Sequence, residues 1–191
     1  MQLDGIHHIT AITGDAQRNV DFYVGVLGLR LVKKSVNQDD PTVYHLFYGD
    51  EHAHPGLDLT FFEYPGASPG RAGDGMIHRV VWRVAGEDAL AFWQGRLAEH
   101  GVESERSANS LRFRDPEGLE HELLVAEVSD EPLTAEHPEV PAEHALQGFH
   151  GVRAYSSRPE GSAGLLDTLG FESGDEAWEA RGPSRGSVYA Y

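Results

Sequence analysis

The side chains with the most chemistry to offer in this sequence are its histidines. There are 11 of them and no cysteine. Thiolate sites and disulfides are therefore excluded, and any metal must be held by His, Asp, Glu or backbone oxygen. Two of the histidines are adjacent, His7 and His8 in "GIHHIT". An imidazole can ligate a metal ion or move a proton near neutral pH. The surrounding residues read as a strand, and a strand sends neighbours to opposite faces, so only one of the pair can face a given interior.

The elements that must position these groups recur. "HHITAITGDAQRNVDFYVGVLG", "IHRVVWRVAGEDALAFWQGRLA" and "FHGVRAYSSRPEGSAGLLDTLG" align with His8, His78 and His150 in register. Each opening is β-like and is followed by a polar helix start: "GDAQ", "GEDA" or "RPEG". Phe22 and Phe92 each stand 14 residues after the aligned histidine, and each is followed by an aromatic, Tyr23 or Trp93. Strand-like segments then return. They are "LRLVKKSV", "VYHLFYGD" and "LDLTFFEY" in the first copy, and "VESERSA", "SLRFRDP" and "LEHELLVAE" in the second. The third has "GFESGD", "AWEARGP" and "SVYAY". "DPEG", Asp115 to Gly118, has the residues of a tight turn. The fold expected is α+β: βαβββ modules over residues 1–66, 74–128 and 147–191, with an acidic, Pro-containing linker over 129–146. A module this small cannot bury its sheet alone, so modules must pair, giving half-open barrels with helices outside.

Bulk properties narrow the function. The net charge is -16, a surface that repels phosphate backbones, so nucleic acid is not an expected partner. Lys33 and Lys34 are the only lysines. No apolar run is long enough to span a bilayer, and the N-terminus lacks a signal-peptide pattern, so no membrane partner and a cytoplasmic location are expected.

The repeat, the "HHIT…DFY…LGLRLVK" opening and "DPEGLEHELL" resemble the vicinal oxygen chelate superfamily, which includes glyoxalase I, bleomycin-resistance proteins and extradiol dioxygenases. Residues 5 to 65 are most similar to its ring-cleaving dioxygenases for hydroquinone-type substrates. That resemblance implies the glyoxalase-like fold, a small aromatic substrate with O2, and one divalent ion, Fe(II) or alternatively Mn(II). Its ligands come from the first-strand His of one module, the first-strand His of its partner and a Glu in that partner's last strand. Carried over, these are His8, His78 and Glu122. Two imidazoles and a carboxylate on one face of an ion form the facial triad of non-haem iron oxygenases, leaving open positions for substrate and O2. Thr60 falls where the glyoxalase branch has a fourth ligand; a threonine there favours O2 chemistry over isomerisation.

Each residue also has a plainer reading. His8 and His78 could be hydrogen-bonded strand histidines, and Glu122, with Glu120, part of a solvated face. The resemblance suggests proton transfer for His7, the expected catalytic residue, although alternation places it away from the cavity of His8. Tyr44 and His45 are weaker pocket candidates. The remaining question is partnership. If the first two modules pair, the triad is complete. If the first pairs outside this chain, as in longer relatives with four modules, His8 stands without His78 and Glu122. In the former case the unpaired third module predicts a homo-oligomer. Two other functions stay open: a metal-free ligand-binding protein of the bleomycin-resistance kind and a glyoxalase-like isomerase or lyase.

Overall fold

The computed structural model describes residues 3–174 and 177–191; the last residue of "GFESGD", Asp175, lies outside them. Three times along the chain, a strand is followed by a helical segment and three strands. The first run is β1 (His8–Thr13), α1 (Ala16–Val20) continuing into a π-helical turn (Asp21–Val26), β2 (Arg30–Val36), β3 (Tyr44–Gly49) and β4 (Asp58–Glu63). The second is β5 (Ile77–Val84), α2 (Glu87–Glu99), β6 (Ser104–Arg106), β7 (Ser110–Arg114) and β8 (Glu120–Val125). The third is β9 (Phe149–Ala154), a 3-10 turn (Pro159–Ser162), α3 (Ala163–Leu169), β10 (Glu172–Ser173), β11 (Ala177–Arg181) and β12 (Gly186–Ala190).

Among the described residues the strands form two sheets and no closed barrel. β1-β4-β3-β2 make a four-stranded sheet. All the others make one eight-stranded sheet in the order β10-β11-β12-β9-β5-β8-β7-β6. Its centre is the antiparallel pair β5 and β9. The second run therefore shares its sheet with the third, and the first run stands apart. The partnership that would unite β1 with β5 and β8 in one sheet is not the one formed. Strand alternation specifies which face is apolar, not which strand becomes the neighbour.

The helical side of both sheets is the core. Ile9 and Ala11 of β1, Leu46 and Tyr48 of β3, and Leu59 and Phe61 of β4 pack toward Phe22 and Tyr23. Val80, Trp82, Leu111, Phe113 and Leu123 of the second sheet complete the cluster with Leu90, Trp93 and Leu97 of α2. Phe22 and Tyr23 are consecutive yet both buried. The π-helical turn makes this possible, because its wider winding (Leu27 N donates to Phe22 O at 3.0 Å) brings neighbouring side chains onto one face. Arg96 of α2 caps this turn, donating to Gly25 O at 2.7 Å and Val26 O at 2.8 Å.

A polar chain runs through this core. Asp115 Oδ1 accepts from Glu117 N and Leu119 N, forming the "DPEG" turn, in which Gly118 supplies the positive φ of 96°. Its Oδ2 accepts from Tyr23 Oη at 2.9 Å, tying the turn to the first run. His121 completes the chain: its Nε2 lies 3.0 Å from Tyr23 Oη, and its Nδ1 accepts from Trp82 Nε1 at 3.0 Å. The segment read as a linker is also packed, with Ala135, Val140, Ala145 and Leu146 buried, and His144 O accepting from Trp93 Nε1.

Close backbone approach fixes one glycine. A Cβ on Gly151 of β9 would meet Val188 O of β12 at 2.0 Å. Gly151→Ala is expected to force these strands apart and lower stability by about 1–3 kcal/mol, as over-packing does. Urea unfolding measures this, and a loss under about 0.5 kcal/mol would show that β12 is free to yield.

Candidate functional site

The face of the first sheet turned away from the helices carries the chemistry. Alternation in β1 puts Ile9 and Ala11 into the core and leaves His8, Thr10 and Ile12 on the other side. Across the sheet, Thr10 faces Thr60 of β4, Thr60 faces Phe47 of β3, and Phe62 faces His45. Thr10 and Thr60 share a hydroxyl hydrogen bond of 2.9 Å, so the Thr60 oxygen is engaged by a neighbour. His45 lies between the rings of Phe47 and Phe62, each centroid 4.0 Å away. Its Nε2 is buried and has no hydrogen-bond partner among the described residues. Burial depresses its pKa, and the nearby His8 and Lys33 depress it further. Tyr44 is exposed, its ring beneath Lys34 Nζ at 3.7 Å. The result is a histidine, two threonines, of which Thr60 is buried beneath its neighbours, and an aromatic shelf on one face of a sheet that no other strand of the described residues joins.

His7 and His8 are closer partners than alternation predicts. Their Nδ1 atoms are 3.2 Å apart and the rings meet edge to face. The reason is local: β1 begins at His8, so His7 precedes the pleat and its ring can turn toward its neighbour. Beside them, Asp58 pairs in register with His8. Its pKa is raised by burial, an effect partly offset by the two imidazoles.

His78 and Glu122 are elsewhere, on the polar face of the eight-stranded sheet. His78 stacks on Tyr155 at 4.0 Å and lies 3.5 Å from Glu120. Burial and Arg79 lower its pKa. Glu122 is surrounded by guanidiniums: Arg79 at 3.1 Å, Arg153 at 3.5 Å and Arg112 at 3.6 Å. Burial raises its pKa, but these charges and a hydrogen bond from Ser110 outweigh that and hold it low. His150 also faces this side, and burial pushes it down to about 4. The expected trio is thus not assembled within this chain. His8 is on one sheet and His78 and Glu122 on the other, and three positive charges around Glu122 oppose a dication. Among the described residues no three His, Asp or Glu side chains are placed to share an ion. Asp58 and the arginine ring around Glu122 escaped the sequence reading, although the period-two arginines of "SLRFR" were a visible sign of the latter.

No helix among the described residues is long and apolar enough to cross a membrane. Residues 5–123 match the family model of the Glyoxalase/Bleomycin resistance protein/Dioxygenase superfamily. MhqA of Bacillus subtilis, named as a ring-cleaving dioxygenase, is 42% identical over 90% of this chain and 56% of its own length. The chlorohydroquinone/hydroquinone 1,2-dioxygenase of Sphingobium indicum is 36% identical over 83% of this chain and 52% of its own. The chain thus spans about half the length of the curated relatives it matches. A crystal structure of a Bacillus subtilis protein described as a dioxygenase superposes with TM-score 0.85 at 38% identity, covering 99% of this chain and 64% of that one. A Frankia domain of the same superfamily, 17% identical with TM-score 0.55, shares the fold over 66% of this chain and all of its own. On the family match and the repeated βαβββ architecture together, the chain belongs to the glyoxalase/bleomycin resistance protein/dioxygenase superfamily.

Proposed function

We propose that this chain carries half of the active centre of a ring-cleaving dioxygenase for hydroquinone-like aromatics. His8 would contribute one ligand to a divalent ion, Fe(II) or Mn(II). A complementary module laid over the first sheet would supply the remaining ligands. The observation that carries this reading is the separateness of the first sheet: His8, the Thr10–Thr60 pair and the aromatic shelf share one face of a sheet that no other strand of the described residues joins. Names among the relatives supply the substrate class and O2.

The chain's own residues have definable tasks. A His8 Nδ1–H donated to His7 Nδ1 fixes the ring and leaves His8 Nε2 as the basic nitrogen, the usual support for a ligating imidazole. His7, its Nδ1 occupied and its Nε2 protonated in this arrangement, is then a positioning residue and would take up a phenolic proton only on releasing His8. Phe47 and Phe62 offer apolar surface to the ring of a substrate. The ion, when bound, would hold substrate and O2 side by side and relay electron density between them.

Oxygen consumption with hydroquinone after anaerobic Fe(II) loading tests this, using the chain alone and co-expressed with the remainder of a curated relative. Uptake is expected in the complemented preparation and is lost in His8→Ala by a factor of about a thousand. His78→Ala should retain it, since that residue sits on the other sheet. No uptake in either preparation, or full uptake in His8→Ala, would overturn the assignment.

A further inference from the structure

The polar face of the eight-stranded sheet has more positive charge than its own carboxylates require. Arg153 of β9, Arg79 of β5, Glu120 and Glu122 of β8, and Arg112 and Arg114 of β7 follow one another across neighbouring strands. Two of the arginines already serve the two carboxylates well. Arg79 donates to Glu120 at 3.0 Å and to Glu122 at 3.1 Å, and Arg114 donates to Glu120 at 2.6 Å. Arg112 and Arg153 are surplus. Each reaches Glu122 only through Nε, at 3.6 and 3.5 Å, beyond a good hydrogen bond. The buried Nε of Arg153 has no hydrogen-bond partner among the described residues.

Four guanidiniums surround Glu120 and Glu122, two positive charges more than that pair balances, and only Glu105 remains to offset one of them, in a chain whose net charge is -16. Glu105, opposite Arg112 on the edge strand β6, is exposed at the rim. His78 adds no charge at neutral pH, its pKa being lowered. A purely structural network has no use for two extra cations crowded around one carboxylate, because their mutual repulsion costs stability. Both are also accessible: the Arg112 side chain is 46% and that of Arg153 38% exposed, while Glu122 beneath them is 4% exposed. Guanidinium forks with free N–H groups are matched to planar oxyanions. Just past the end of β9 and two residues from Arg153, Tyr155 presents a half-exposed ring, held by its stack on His78.

We propose that this face is a binding site for a small aromatic carboxylate, its acid group held by Arg112 and Arg153 and its ring against Tyr155. The site is separate from the His8 face and does not depend on a metal ion.

Calorimetric titration of the 191-residue chain at low ionic strength tests it, with benzoate, acetate and inorganic phosphate as probes. Benzoate should bind saturably and more tightly than acetate or phosphate. Arg112→Ala and Arg153→Ala should each weaken it about tenfold or more. Tyr155→Ala should remove the advantage of benzoate over acetate. Glu122→Gln, which removes the internal competitor, should tighten binding; circular dichroism confirms that each variant is folded. Three outcomes overturn the proposal: no saturable heat with benzoate, binding unchanged in both arginine variants, or phosphate and acetate matching benzoate.

Discussion

At pH 8, His121→Ala is expected to lower the free energy of unfolding by about 3–5 kcal/mol. His121 is fully buried, and the directions of its hydrogen bonds are forced. Trp82 can only donate, so Nδ1 accepts, and a neutral ring then carries its proton on Nε2. That proton goes to Tyr23 Oη, whose own proton goes to Asp115. Alanine leaves a ring-sized cavity between Phe113 and Trp82 and strands the Trp82 N–H without an acceptor. The two costs add, since neither is relieved by water reaching so deep a site. Tyr23→Phe, which removes only the hydroxyl, should cost about 1–2 kcal/mol. Equilibrium urea unfolding measures both, and a loss under 1 kcal/mol for His121→Ala would mean the chain of hydrogen bonds holds little.

The same residue predicts acid lability that begins unusually early. Burial pushes His121 from 6.5 down to about 3. The folded chain keeps this ring neutral where the unfolded chain protonates it, so the unfolded state binds more protons and stability rises with pH. The contribution is fully present above pH 6.5 and is lost as the pH falls toward 3. At about 1.4 kcal/mol per pH unit, roughly 2–3 kcal/mol disappears by pH 4.5. His150, pushed down to about 4, acts in the same direction. Glu120 and Asp130, held at about 2 by their arginine partners against the cost of burial, lose their contribution only below the ordinary carboxylate range. The fall should therefore come in two phases, histidines first. Unfolding free energies between pH 8 and 4 should decline from pH 6.5 in the native chain and less steeply in His121→Gln. A flat profile down to pH 5 would count against a neutral buried His121.

Much of this architecture is legible in the residues. The histidine register, the paired aromatics after it and the turn residues locate the strands of all three runs to within a few positions. Alternation is local, so it separates His8, Thr10 and Ile12 from Ile9 and Ala11 on the two faces of β1. What escaped is long-range. Nothing in "IHRVVWRV" says that its antiparallel neighbour is "FHGVRA" rather than a strand of the first run, since both candidates are similarly apolar. The position of His7 escaped for a different reason: the pleat starts one residue later than the apolar pattern suggests. His121 was hidden between two glutamates, yet period two places it opposite to them, in the core.

The seam between β5 and β9 has a practical corollary for anyone dissecting the molecule. β5 is an interior strand only because β9 lies on its other side. Residues contributed by the last quarter of the polypeptide therefore shield the middle of it. Cleaving or deleting everything after about residue 128 would convert β5 into a bare margin rich in valine, with open N–H and C=O groups, prone to self-adhesion. The smallest excerpt worth expressing for the second repeat therefore also includes the third, whatever the boundaries drawn by similarity suggest.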